Sequence, residues 1–304
     1  MYFPYLRGRQ FELIALRELL EKGLINEHIF PIIEPVKLST TLTKTLTLYK
    51  EKNANISVIY NPCVGSLDNE QLTATTENTI CNTLNQLTSE TPILKAYHLS
   101  KELPEIESNL SNIILIANNR DTSIQYNNIY SVDFAPKYTL MLDESDFRRN
   151  IRNRSRVLLT DNFIKKNKNA EYNGDEFYTR DHLFYKDDGY VGFADYSVVG
   201  NDYTESGFAP YAVAIHIIYL DTDNTMRIHH FVSDSNEDYS DTTGKFSEAL
   251  EKLIKWNKEK QLHTYAMQEF QRLYEEQAYP GLGTVKKLSI MHHIELVSDF
   301  LAQN

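Results

Sequence analysis

A chain of 304 residues, 41% hydrophobic and 24% charged, can bury a core as one large α/β domain or as two smaller ones. Its net charge of −11 and sequence pI of about 5.3 disfavour double-stranded nucleic acid and anionic lipid as whole-surface partners. Two cysteines, Cys63 and Cys81, make neither a disulfide framework nor a metal set. No apolar run reaches the ~18 residues of a membrane span and no leader opens the chain, so the expectation is a cytoplasmic protein with no membrane contact, no metal and no cofactor.

Residues 2–6 are short, aromatic and apolar, as a first strand would be, and 11–23 carry apolar residues at helical spacing up to Gly23. Strand-like runs follow at 29–36, 56–61, 93–99, 113–118, 129–134 and 156–160. Helical patterns lie between them at 40–52, 69–89, 103–110 and 143–153. Strands alternating with helices predict βαβ units and a parallel sheet. No Gly-x-Gly-x-x-Gly turn follows the first strand, so the expected class is α/β, an irregular TIM-like (β/α) barrel rather than an open doubly wound sheet.

The rhythm changes after Thr160. Residues 161–188 read as polar loop, 189–207 as loops around one strand, and 211–221 with 226–233 as an antiparallel hairpin insertion turned by Asp221-Thr-Asp-Asn-Thr225. Helices at 245–261, 264–277 and 284–301 close the chain, the first with an apolar face of Leu250, Leu253, Ile254 and Trp256. The expected division is a barrel-like domain over 1–235 and a helical C-terminal tail over 236–304, with His292 and His293 on the tail's surface.

Two stretches carry a likeness. YLRGRQFELIALREL with the following IFPIIEPV, through Gly8, Glu12, Ala15, Leu16, Pro31 and Glu34, resembles the poorly characterised "beta protein" family of phages and bacteria. GFADYSVVG and APYAVAIHIIY resemble the centre of its bacterial branch, so the likeness spans roughly 1–235. It implies a barrel-like α/β fold and brings no assigned activity or catalytic residues. It also implies a protein partner, a small nuclease-like neighbour, as in a two-component anti-phage defence system.

Parallel barrels place their sites at the C-terminal ends of the strands. Those ends supply Arg7, Glu34, Asn61, His98, Asn118, Asp133 and Asp161. Polar residues also simply mark where strands stop, and both readings stand. The block from Gly189 to Asp234 adds Asp195, Glu205, His216, His229 and His230. His216 shares a strand face with Ala212 and Ala214, the small neighbours of a pocket wall or a crowded core, and is expected to be a neutral, buried imidazole. Asp195 with Glu205 would make an acid–base carboxylate pair, or else a loop tie and a solvated charge. FRRNIRNRSR places Arg148, Arg152 and Arg156 on one helical face, fit for phosphate or for salt bridges. The catalytic expectation is therefore Glu34, Asp133, Asp195 and His216, sharing one cavity, with Arg7, Asn118, Asp161 and Arg152 binding substrate. Two functions remain open: a hydrolase or lyase on a phosphate-bearing small molecule or nucleotide, or a non-catalytic partner or sensor subunit.

Overall fold

Eight parallel strands close into a barrel in the computed structural model, which describes residues 1–67, 82, 84–86, 88, 93–99, 110–124, 126, 130, 135–152, 154–204 and 210–304. In chain order the strands are β1 (Tyr2–Leu6), β2 (Ile32–Ile33), β3 (Ser57–Ile59), β4 (Leu94–His98), β5 (Ile113–Ala117), β6 (Tyr138–Leu142), β7 (Arg156–Thr160), β8 (Asp175–Thr179), β9 (Gly192–Asp195), β10 (Ala214–Leu220) and β11 (Met226–Val232). β1 to β7 follow one another round the ring, and β9 pairs with both β7 and β1 to shut it. The expected TIM-like barrel is present.

Alternation along each strand decides what fills the barrel. Phe3 and Tyr5, Ile32, Ile59, Leu94 and Ala96, Ile114 and Ile116, Leu140, Val157 and Leu159, and Ala194 and Tyr196 form one buried cluster. Two helices early in the chain show how periodicity specifies a buried face. In α1 (Gln10–Glu21), Leu13, Leu16 and Leu19 are buried at helical spacing. α2 (Thr40–Glu51) starts where Ser39 Oγ accepts the Leu42 N–H at 3.2 Å, and it buries Leu42, Leu46 and Tyr49.

Several strand expectations change. The sixth barrel strand is Tyr138–Leu142, which follows Pro136; the run expected at 129–134 lies, but for Tyr130, outside the described residues. The polar stretch 161–188 contains β8, a strand whose polar, exposed start hides its pairing with β11. The single strand foreseen within 189–207 is β9, the one that closes the barrel. The arginine stripe does not form either. The helix there is Ser145–Asn150, Ile151 is extended and buried after it, and Arg156 already belongs to β7.

The chain divides into two compact units. The first comprises 1–13, 26–161 and 181–196 and holds the barrel; the second comprises 14–25, 162–180 and 197–304. In the second, β10 pairs antiparallel with β11 and β11 with β8, with His216 opposite His230. Its turn is as the sequence reads: the Asp221 and Thr225 backbones bond at 2.9 Å and Asn224 takes φ 61. The long helices α3 (Thr242–Lys260), α4 (Tyr265–Glu275) and α5 (Leu282–Gln303) belong to this unit, α5 lying against β10 and α3 against β11. Leu250, Leu253 and Ile254 are buried and Trp256 half-buried against Tyr219, His229 and Phe231. His292 and His293 are not on the surface. His292 bridges the Ile218 carbonyl (2.6 Å) and the Thr264 hydroxyl (2.7 Å), and His293 lies 2.9 Å from Ser197 Oγ. Two adjacent imidazoles look polar in sequence, but each is buried by bonding a fixed partner.

Candidate functional site at the barrel mouth

On seven of the eight barrel strands the inward face carries on, two residues further, into a polar side chain; on β6 Leu140 leads to Leu142. Tyr5 leads to Arg7, Ile32 to Glu34, Ile59 to Asn61, Ala96 to His98, Ile116 to Asn118, Leu159 to Asp161 and Ala194 to Tyr196. The period of two that stacks apolar layers in the barrel thus stacks a polar layer over them at the C-terminal end.

Glu34 is the centre of that layer and is fully buried. The Tyr5 hydroxyl donates to its Oε2 at 2.8 Å, Arg7 Nη1 pairs with the same oxygen, and the Cys63 main-chain N–H donates to Oε1 at 2.8 Å. His98 Nε2 lies 3.1 Å from Oε1 and 3.3 Å from the Tyr5 hydroxyl. Burial pushes the carboxyl up, but the hydrogen bond and charge of His98, the charge of Arg7 and the Cys63 amide outweigh it and hold Glu34 down at about 2. The Tyr5 hydroxyl is pushed up, first by burial and then by the Glu34 charge. Arg7 lies over the Tyr5 and Tyr196 rings, 5.2 and 5.3 Å from their centroids.

The backbone beneath this network is held as tightly. Asn61 accepts the His98 N–H at 2.8 Å and donates to the His98 carbonyl at 3.0 Å, which locks the end of β4 to β3. Gly8 turns the chain at φ +62, where an added Cβ would sit 3.1 Å from the Glu34 carbonyl oxygen. Asn118 bonds the Tyr196 hydroxyl, and the Asp161 charge reaches the same group.

Of the expected catalytic residues, Glu34 stands in this network. Asp195 lies between inward-facing Ala194 and Tyr196, so its side chain takes the other face of β9 and accepts the Tyr2 hydroxyl at 2.7 Å. His216 lies in the second unit, its Nδ1 2.7 Å from His230 Nδ1, with burial and the His230 charge holding it down at about 3. Asp133 and Glu205 lie outside the described residues. Arg7, Asn118 and Asp161 reach the mouth, whereas Arg152 is exposed and bonds the Arg149 carbonyl at 3.0 Å. Tyr5, Cys63 and Tyr196 were missed. Tyr5 and Tyr196 were legible from strand register alone, being two residues from Arg7 and Ala194. Cys63 had no such signal.

Glu34, Cys63 and His98 each place a ligand atom within 4.8 Å of the others, a set with the reach to hold a cation. Arg7 already supplies a positive charge to that carboxylate and opposes a second one. Comparison with protein-family models, curated proteins and solved structures returned no match. Among the described residues no helix is long and apolar enough to cross a membrane.

Proposed function

We propose that the barrel mouth is an acid–base active site for a small phosphate-bearing molecule or nucleotide, acting by hydrolysis or elimination. The observation that carries this reading is the buried Glu34 carboxylate held between His98 and Arg7. A carboxylate on Nε2 places the imidazole proton there and leaves Nδ1 as the basic nitrogen. None of the hydrogen bonds among the described residues uses His98 Nδ1. His98 is the proton-transfer group in this scheme and Glu34 its positioning residue. Arg7, fixed by Glu34 and two tyrosine rings, supplies the positive charge that attracts a phosphate and balances charge developing on it.

The test is turnover of a panel of phosphomonoesters, linear and cyclic phosphodiesters and nucleotides by the full chain. A general acid–base group contributes about 10²–10⁴-fold, so His98→Gln should lose activity by that factor with an unchanged circular dichroism spectrum. Activity retained in His98→Gln would remove the imidazole from the chemistry. A panel with no substrate would favour the second reading, a partner or sensor subunit, since every oxygen of Glu34 is already satisfied within the protein.

A further inference from the structure

The second unit contains a cavity of about 260 Å³ that the barrel-mouth chemistry does not use. Lys165, Lys166 and Lys286 line it, together with Phe163, Tyr172 and His216. In a chain of net charge −11, three cations around one concavity concentrate positive charge there. Glu176 reaches Lys166 at 3.8 Å, and Lys165 Nζ donates to the Asp202 carbonyl at 3.5 Å.

One further feature points to the kind of ligand. Leu282, Val285 and Lys286, from the first turns of the 22-residue α5, form part of the wall. The His216–His230 pair sets the hydrogen-bonding character of the opposite wall. His230 Nε2 lies 3.7 Å from Glu176 Oε2, beyond hydrogen-bond reach. With burial keeping both rings neutral, one of the two Nδ1 atoms carries the proton they share. No hydrogen bond among the described residues uses His216 Nε2.

We infer that this cavity binds a small hydroxyl-bearing phosphoester of the sugar phosphate class. The lysines take the phosphate, a sugar hydroxyl, able to donate or to accept, meets His216 Nε2, and Phe163 and Tyr172 cover the carbon skeleton. The volume suits a pentose phosphate.

Ribose 5-phosphate is the probe, with ribose and inorganic phosphate as controls, on the full-length protein. Amine acetylation read by mass spectrometry reports on the cavity itself: ribose 5-phosphate should protect Lys166 and Lys286, ribose should not, and inorganic phosphate should protect only at higher concentration. By calorimetry, Lys166→Gln and Lys286→Gln should each weaken binding about tenfold, and added salt should weaken it in the wild type. Both lysines are only half-buried, so the variants are expected to fold. Labelling of both lysines unchanged by ribose 5-phosphate, or equal protection by ribose, would overturn the assignment.

Discussion

At the scale of the residue, Glu34 joins stability to chemistry. Its carboxyl titrates at about 2 in the folded protein, below the ordinary 4.5, so its contribution is complete above pH 4.5 and is lost as the pH falls toward 2. Those two values amount to about 2 kcal/mol lost by pH 3 relative to neutral pH. Glu34→Gln should cost about 3–5 kcal/mol at pH 7, because it leaves Arg7 buried without its carboxylate. The same variant should show a shallower decline between pH 7 and pH 3. Urea unfolding at the two pH values measures both, and an identical decline in the variant would show that Glu34 does not titrate as its surroundings imply.

At the scale of the element, α3 separates two kinds of burial on one helix. Leu253 is fully buried, whereas Trp256 is half-buried at the edge of Tyr219, His229 and Phe231. Leu253→Ala removes core volume and should cost about 2–5 kcal/mol. Trp256→Ala, at a half-buried position, opens space to solvent rather than leaving a closed cavity, and should cost less than Leu253→Ala despite the larger side chain. Chemical denaturation followed by far-UV circular dichroism gives the order, and the reverse order would mean the indole anchors the helix.

At the scale of the whole molecule, the two units meet acid through different groups. In the second, burial holds His216 at about 3 and His230 and His292 at about 4, all below the ordinary 6.5. The unfolded chain therefore binds protons that the folded unit refuses, and stability is lost as the pH falls below 6.5. Glu295, raised by burial to about 7, and Asp299, also raised, act in the opposite sense, gaining stability as they are protonated. Three histidines outweigh them once both carboxyls are neutral. In the barrel unit the Met1 ammonium, held down to about 6 by burial, loses its share between pH 8 and 6, and the loss through Glu34 begins only below 4.5. Hydrogen exchange should therefore rise in β10 and β11 at a higher pH than in β4 and β5, and the fluorescence of Trp256, the chain's single tryptophan, should follow the former. Simultaneous exposure of both sheets would show one cooperative acid transition.

The barrel was legible in the chain because apolar runs spaced by helical patterns leave few ways to bury both faces of a parallel sheet. The mouth residues Arg7, Glu34, Asn61, His98, Asn118 and Asp161 were legible for the same reason, each ending an apolar run. What the chain could not reveal was which face each polar residue takes and which partner it meets. Asp195 looked like its neighbours in the set, yet a shift of one residue along β9 sends it to Tyr2 and leaves the mouth to Tyr196. His216 was expected in a hairpin yet sharing a cavity with Glu34; that hairpin pairs with β8 in a sheet of the second unit. The segment at β8 and the pair His292–His293 read as surface because polarity, not pairing, is what a linear sequence displays. Local periodicity determines which residues a strand buries; only closure of the sheet determines which buried residues become neighbours.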